Sequence, residues 1–233
     1  MKLAAWSVHL FTASGLLAGF MGLLAAVEGD YRAAMLWMLA TLVIDGIDGT
    51  FARMARVGEV LPHVSGKMID YVIDFFTYCI LPAYLFYVAI EMPETPRLIG
   101  SFLMLMSGAI YYGLDGMVSE DGKHFVGFPV MWNMVVYVFI FVIPDLAWPV
   151  LLGLVVLFTV LHFVPVLFAY PSHGGRWWVA TLVTTVVFII SAVVNVYYYD
   201  EPVPWARWAT IAATLYYAVL ATVDTLSAKT NVR

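Results

Sequence analysis

The sequence predicts an all-α fold, a polytopic transmembrane helical bundle of about eight spans. Composition is the first observation behind this: of 233 residues, 63% are apolar or aromatic and only 12% are charged. A water-soluble domain carries roughly twice that share of charge. The second is a mean hydropathy of +0.91. The third is arrangement, because the charges fall between apolar runs long enough to cross a hydrocarbon layer of about 30 Å as helices.

The runs cover residues 8–28, 30–52, 67–90, 96–116, 129–144, 148–169, 176–197 and 204–227. Proline and glycine pairs punctuate the breaks, among them Pro93 and Pro96, Pro144 and Pro149, Gly174 and Gly175, and Pro202 and Pro204. The first run follows Lys2 and ends near Ala25 and Ala26, as a secretory leader would. Its length and its polar residues His9, Thr12 and Ser14 make it a span instead. Gly127 and Pro129 predict a tight turn into the short fifth run, with Pro129 in the first turn of that helix. Trp148, Trp177, Trp178, Trp205 and Trp208 sit at span ends, where an amphipathic ring prefers the membrane interface.

An even number of spans leaves both termini on one side. Lys2, Arg53, Arg56, Lys67, Lys123, Arg176, Lys229 and Arg233 then share that side, and only Arg32, Arg97 and Arg207 face the other. The positive-inside rule makes the first side cytoplasmic, together with the loops near 53–67, 116–128 and 170–176. A net charge of −5 gives no footprint for nucleic acid. The single cysteine, Cys79, excludes a disulfide framework and reads as a small core residue.

Chemistry concentrates in Asp45 to Asp74, DGIDGTFARMARVGEVLPHVSGKMIDYVID. Asp45 and Asp48 share one helical face by their spacing, and so do Asp70 and Asp74. The pairs occupy facing ends of consecutive antiparallel spans, so four carboxylates converge. An ionised Asp inside a span costs about 2.5–3.5 kcal/mol on insertion scales, which argues for a function. A set of hard oxygen ligands without His or Cys favours Mg2+, Mn2+ or Ca2+ over zinc. Two such ions suit phosphoryl chemistry. The bland alternative is an ionic cluster in which Arg53, Arg56 and Lys67 neutralise the acids. It leaves unexplained Gly49 beside Asp48 and Gly66 one turn before Asp70, where a ligand can approach the backbone.

At these residues the sequence resembles the CDP-alcohol phosphotransferase family, whose signature reads D-x2-D-G-x2-A-R, a spacer, then G-x3-D-x3-D. Asp45, Asp48, Gly49, Ala52, Arg53, Gly66, Asp70 and Asp74 fill all of its positions. The resemblance implies that Asp45, Asp48, Asp70 and Asp74 bind two ions, Mn2+ or Mg2+. It assigns Gly49, Ala52, Arg53 and Gly66 to the CDP group, and Asp74 also to general-base catalysis. Residues 1–170 would form the catalytic core of six spans, and residues 171–233 would add two. The resemblance further implies a bacterial cytoplasmic (inner) membrane, membrane lipid as surroundings, and a homodimer.

The spacer of 12 residues between Arg53 and Gly66 is longer than in most of the family. With the two extra spans it resembles the branch that joins choline to CDP-diacylglycerol. Acceptor chemistry agrees, since a phosphorylated acceptor needs extra cations, and beyond the signature the cytoplasmic side offers only Lys123 and Arg176 near spans four to seven. A quaternary ammonium wants aromatic faces and a carboxylate. Tyr78, Tyr111, Tyr112, Asp115 and Trp132 are the candidates. Serine, inositol or glycerol phosphate as acceptor is the nearest alternative. A cation-coupled transporter is the alternative of another class, although transporters place ion sites near the midplane, between related halves. Of the remaining intramembrane polar residues, His162 is expected to hydrogen-bond a neighbouring helix and Asp224 to be a solvated helix end.

Overall fold

The computed structural model describes residues 1–170 and 177–231, with only the backbone for 229–231. Nine helices are described: α1 (Lys2–Val27), α2 (Tyr31–Met54), α3 (Val57–Val60), α4 (Gly66–Ala89), α5 (Glu94–Tyr112), α6 (Trp132–Val142), α7 (Trp148–Leu161), α8 (Trp178–Tyr197) and α9 (Pro204–Asn231). A short ribbon, β1 (His124–Val126) and β2 (Leu167–Ala169), completes the described elements. Gly174, Gly175, Arg176 and Arg233, used above to mark a break and to count charge, lie outside the described residues.

Helices α1, α2, α4, α8 and α9 are long and apolar enough to cross a membrane. Large apolar side chains such as Leu10, Leu17, Phe102, Met106 and Val219 are exposed on the outside of the bundle, as lipid requires and water would penalise. The chain is an integral membrane protein. All eight apolar runs contain helix, but they are not eight equal spans. Helix α6, at about 1.5 Å per residue, reaches only roughly 16 Å. Its first six residues, Trp132 to Tyr137, are all buried, so it is the central strut of the bundle.

Two boundaries differ from expectation for a shared reason. The run 148–169 stops being helical at Leu161, because Pro165 disfavours the α region at Val164 and the chain then turns into β2. The helix of the run 129–144 begins at Trp132, so Pro129 precedes its first turn. The segment before it is held by the same ribbon: Gly127 N–H donates to Val166 O at 2.9 Å and Phe128 N–H to Leu161 O at 2.8 Å.

Helices α1 and α2 form an antiparallel hairpin. Gly29 turns it with φ +80°, and Asp30 caps α2 by accepting from Ala33 N–H at 2.8 Å. Gly15, Ala18, Gly19, Gly22 and Ala26 are buried along α1, the small-residue face that lets helices approach closely in lipid. The spacer after α2 contains α3, and Ser65 caps α4 by accepting from Met68 N–H at 3.2 Å. Within α4, Phe75–Ile80 is π-helical. At the bundle end away from the acidic pairs, Arg32 pairs with Asp200 and Tyr31 Oη donates to Val88 O at 3.1 Å.

The ribbon pairs His124 with Ala169, Phe125 with Phe168 and Val126 with Leu167 in antiparallel register. Helix α9 holds it. Leu167 N–H donates to Thr225 Oγ1 at 2.8 Å, and His124 Nε2 lies 3.3 Å from Asp224 Oδ2. Asp224 is thus the partner of a histidine, not a solvated helix end.

Candidate functional site

Helix α1 packs against α2 along its length and against the first turns of α4, and the acidic pairs of α2 and α4 meet at a cavity that α1 also lines. Side-chain direction on a helix places residues three or four apart on one face, and both acidic pairs use it. Oxygen atoms of Asp45, Asp70 and Asp74 lie within 4.8 Å of one another. Asp48 is 8% exposed and lines the same small cavity as those three. Thr12 and Gly15 of α1, with Thr41 and Thr77, complete much of its wall. All four aspartates are therefore brought together, three of them within ligating reach of a common point.

The basic residues do not join them. Among the described residues, no Lys, Arg or His nitrogen lies within 4.0 Å of any of the four carboxylates. Arg53 donates to Thr50 Oγ1 at 3.1 Å, Arg56 sits 3.9 Å from Glu59, and Lys67 lies over the Tyr71 ring at 5.1 Å. The ionic-cluster alternative is not what the chain builds. Two carboxylates about 5 Å apart repel by roughly 3 kcal/mol at an effective dielectric of about 20. A convergent, uncompensated, all-oxygen set of this kind fits a hard divalent cation.

Gly49, Ala52 and Arg53 follow Asp48 along α2, and Gly66 opens α4. A methyl group on Gly49 would lie 3.4 Å from Arg53 Nη1, and one on Gly66 would lie 3.3 Å from His9 Cε1. The bare backbone at these two positions leaves room for the side chains of Arg53 and His9.

The aromatic candidates separate into two groups. Tyr78 is buried, and its hydroxyl donates to Asp45 Oδ2 at 2.8 Å. The Tyr112 hydroxyl reaches towards Asp74, and its ring lies against Tyr71 at 5.4 Å and Phe75 at 6.4 Å. Tyr111 and Trp132 instead meet around His162, with centroid distances of 5.4 and 5.2 Å. Tyr111 Oη donates to Val126 O at 3.1 Å, which ties it to the ribbon. Asp115 is exposed beyond the end of α5. His162, expected to bond a neighbouring helix, packs among the rings of Tyr111, Phe128 and Trp132.

Sequence reasoning passed over Thr12, His9, Tyr71 and Phe75 as site residues. Thr12 and His9 were visible as polar residues in the first span, but nothing local says which later helix they face. Tyr71 and Phe75 flank the second acidic pair, where they read as ordinary helix residues.

No family model matches the chain. It is similar to proteins described as phosphatidylcholine synthase. One from Brucella melitensis is 37% identical over 212 residues, covering 91% of this chain and 76% of that protein. One from Rhizobium meliloti is 36% identical over 220 residues, covering 94% and 90%. One from Pseudomonas aeruginosa is 34% identical over 216 residues, covering 93% and 90%.

Proposed function

The chain belongs to the phosphatidylcholine synthase family, and from that premise we propose that it joins choline to the phosphatidyl group of CDP-diacylglycerol, releasing phosphatidylcholine and CMP. The observation that carries the chemistry is the convergence of Asp45, Asp48, Asp70 and Asp74 on one cavity without a basic partner within 4.0 Å among the described residues. These four would hold two divalent ions, Mn2+ or Mg2+. Bound there, the ions would neutralise the diphosphate and stabilise charge on the departing CMP.

The chain's own residues do the rest. Gly49, Ala52 and Gly66 give the cytidine moiety close access to the backbone, and Arg53 offers a planar fork to phosphate oxygens. Asp74 accepts the proton of the choline hydroxyl as its oxygen bonds to the phosphorus beside diacylglycerol. The phosphorus–oxygen bond to CMP breaks. For the acceptor, the five candidates are Tyr78, Tyr111, Tyr112, Asp115 and Trp132. Of these, the Tyr112 ring has the best claim to touch choline, because Tyr71 and Phe75 lie beside it and Asp74 is at its edge.

In the same reading, residues 1–170 form the catalytic core and residues 171–233 add two spans. The protein sits in the bacterial cytoplasmic membrane as a homodimer, with its termini and acidic cavity facing the cytoplasm, on the charge distribution given above.

An acceptor panel tests the proposal. Purified protein with CDP-diacylglycerol and Mn2+ or Mg2+ should release CMP when choline is added, and chelation should stop it reversibly. Release driven by serine, inositol or glycerol phosphate in place of choline would move the protein to another acceptor. Absence of release with every acceptor would favour the transporter alternative.

A further inference from the structure

Among the described residues no Lys, Arg or His nitrogen lies within 4.0 Å of the four aspartates, yet a tyrosine hydroxyl is hydrogen-bonded to one of them. Tyr78 of α4 donates to Asp45 Oδ2 at 2.8 Å. Thr12 of α1 lines the same cavity as Asp48. Tyr78 is 6% exposed, so its hydroxyl has little access to solvent as an alternative partner. A buried phenol needs a hydrogen-bond partner, and this one is built to find a carboxylate.

The chemical identity of this partner matters. An Arg or Lys beside Asp45 would orient it but would also neutralise it and compete with a cation. A hydroxyl fixes the rotamer and leaves the charge in place. A carboxylate has about four lone-pair sites. Tyr78 occupies one of those on Oδ2, and a single hydroxyl leaves the carboxylate capacity to bind a cation.

We propose that Tyr78 is a positioning residue that locks Asp45 for cation binding. The assignment rests on the two-ion reading of the acidic cavity. It also gives Tyr78 a task other than contact with choline: its hydroxyl is committed to Asp45 and its ring to the core.

Manganese binding to the purified protein, followed by loss of the free-ion electron paramagnetic resonance signal, tests this without relying on turnover. Tyr78→Phe removes one hydroxyl and keeps the ring. It should weaken manganese binding about 10- to 100-fold, the usual effect of losing an outer hydrogen-bond partner of a metal ligand. Raising the manganese concentration should recover much of the lost CMP release. Tyr31→Phe, which deletes a tyrosine hydroxyl at the opposite end of the bundle, should leave manganese affinity at the wild-type value. If Tyr78→Phe does not fold, 3-fluorotyrosine at position 78, which changes the acidity of the hydroxyl and keeps the ring, should still shift the manganese affinity. Wild-type affinity in the folded variant would overturn the positioning role while leaving the two-ion site intact. A wild-type protein that binds no manganese would overturn both.

Discussion

Asp74 is assigned two tasks, holding a cation and accepting a proton, and one substitution separates them. Asp74→Asn keeps the shape of the side chain and removes the charge and the basicity. Loss of a general base costs roughly 10²–10⁴ in rate. We expect turnover to fall by at least that much while CDP-diacylglycerol still binds, since Asp45, Asp48, Asp70 and Arg53 remain. Substrate binding measured beside single-turnover CMP release checks it, and an equal loss of both would leave Asp74 only a ligand. Tyr112 also offers two groups, a hydroxyl towards Asp74 and a ring beside Tyr71 and Phe75. Tyr112→Phe should leave the choline KM close to wild type. Tyr112→Ala should raise it about tenfold or more, as loss of a desolvated cation–π contact worth up to about 2 kcal/mol implies. Equal choline KM values in both variants would place the acceptor elsewhere.

At the scale of elements, the acidic site was legible because helical spacing alone decides which residues share a face. Asp45 with Asp48, and Asp70 with Asp74, needed only that rule and a return connection. The ribbon was not legible, because three-residue strands carry almost no periodicity and their pairing partners are more than forty positions apart, as Val126 and Leu167 are. The π-helical stretch Phe75–Ile80 was hidden for a similar reason, since its sequence reads as ordinary apolar helix. One residue did carry a signal. Gly127 has φ +87°, and a methyl group there would lie 2.1 Å from His162 O. Non-glycine residues pay about 1–2 kcal/mol for a left-handed backbone before any clash is counted. Gly127→Ala should therefore lower the melting temperature by several degrees and loosen the junction between ribbon and α6. An unchanged melt would mean that the turn relaxes at no cost.

At the scale of the molecule, the acidic cavity belongs to α1, α2 and α4, while the ribbon is held by the last helix. Phe125 of β1 stacks on Tyr170 at 4.6 Å, and Tyr111 bonds to Val126, so the ribbon is continuous with the aromatic cluster around His162. Helix α9 fixes that ribbon at two adjacent residues, Asp224 on His124 and Thr225 on Leu167. Both members of the His124–Asp224 pair are 22% exposed, which shields the contact from most of the solvent competition that weakens surface pairs. If the contact couples α9 to the ribbon, removing either partner should cost the same stability, about 1–2 kcal/mol. Removing both should cost no more than removing one. Asp224→Ala, His124→Ala and the double variant form that cycle, read in melting temperature and in choline-dependent CMP release. Additive losses would make the two residues independent, and the ribbon would then owe its place to Thr225 and its own strand pairing. Non-additive losses in both readouts would make the C-terminal helix a working part of the acceptor side, although it lies far outside the signature in the chain.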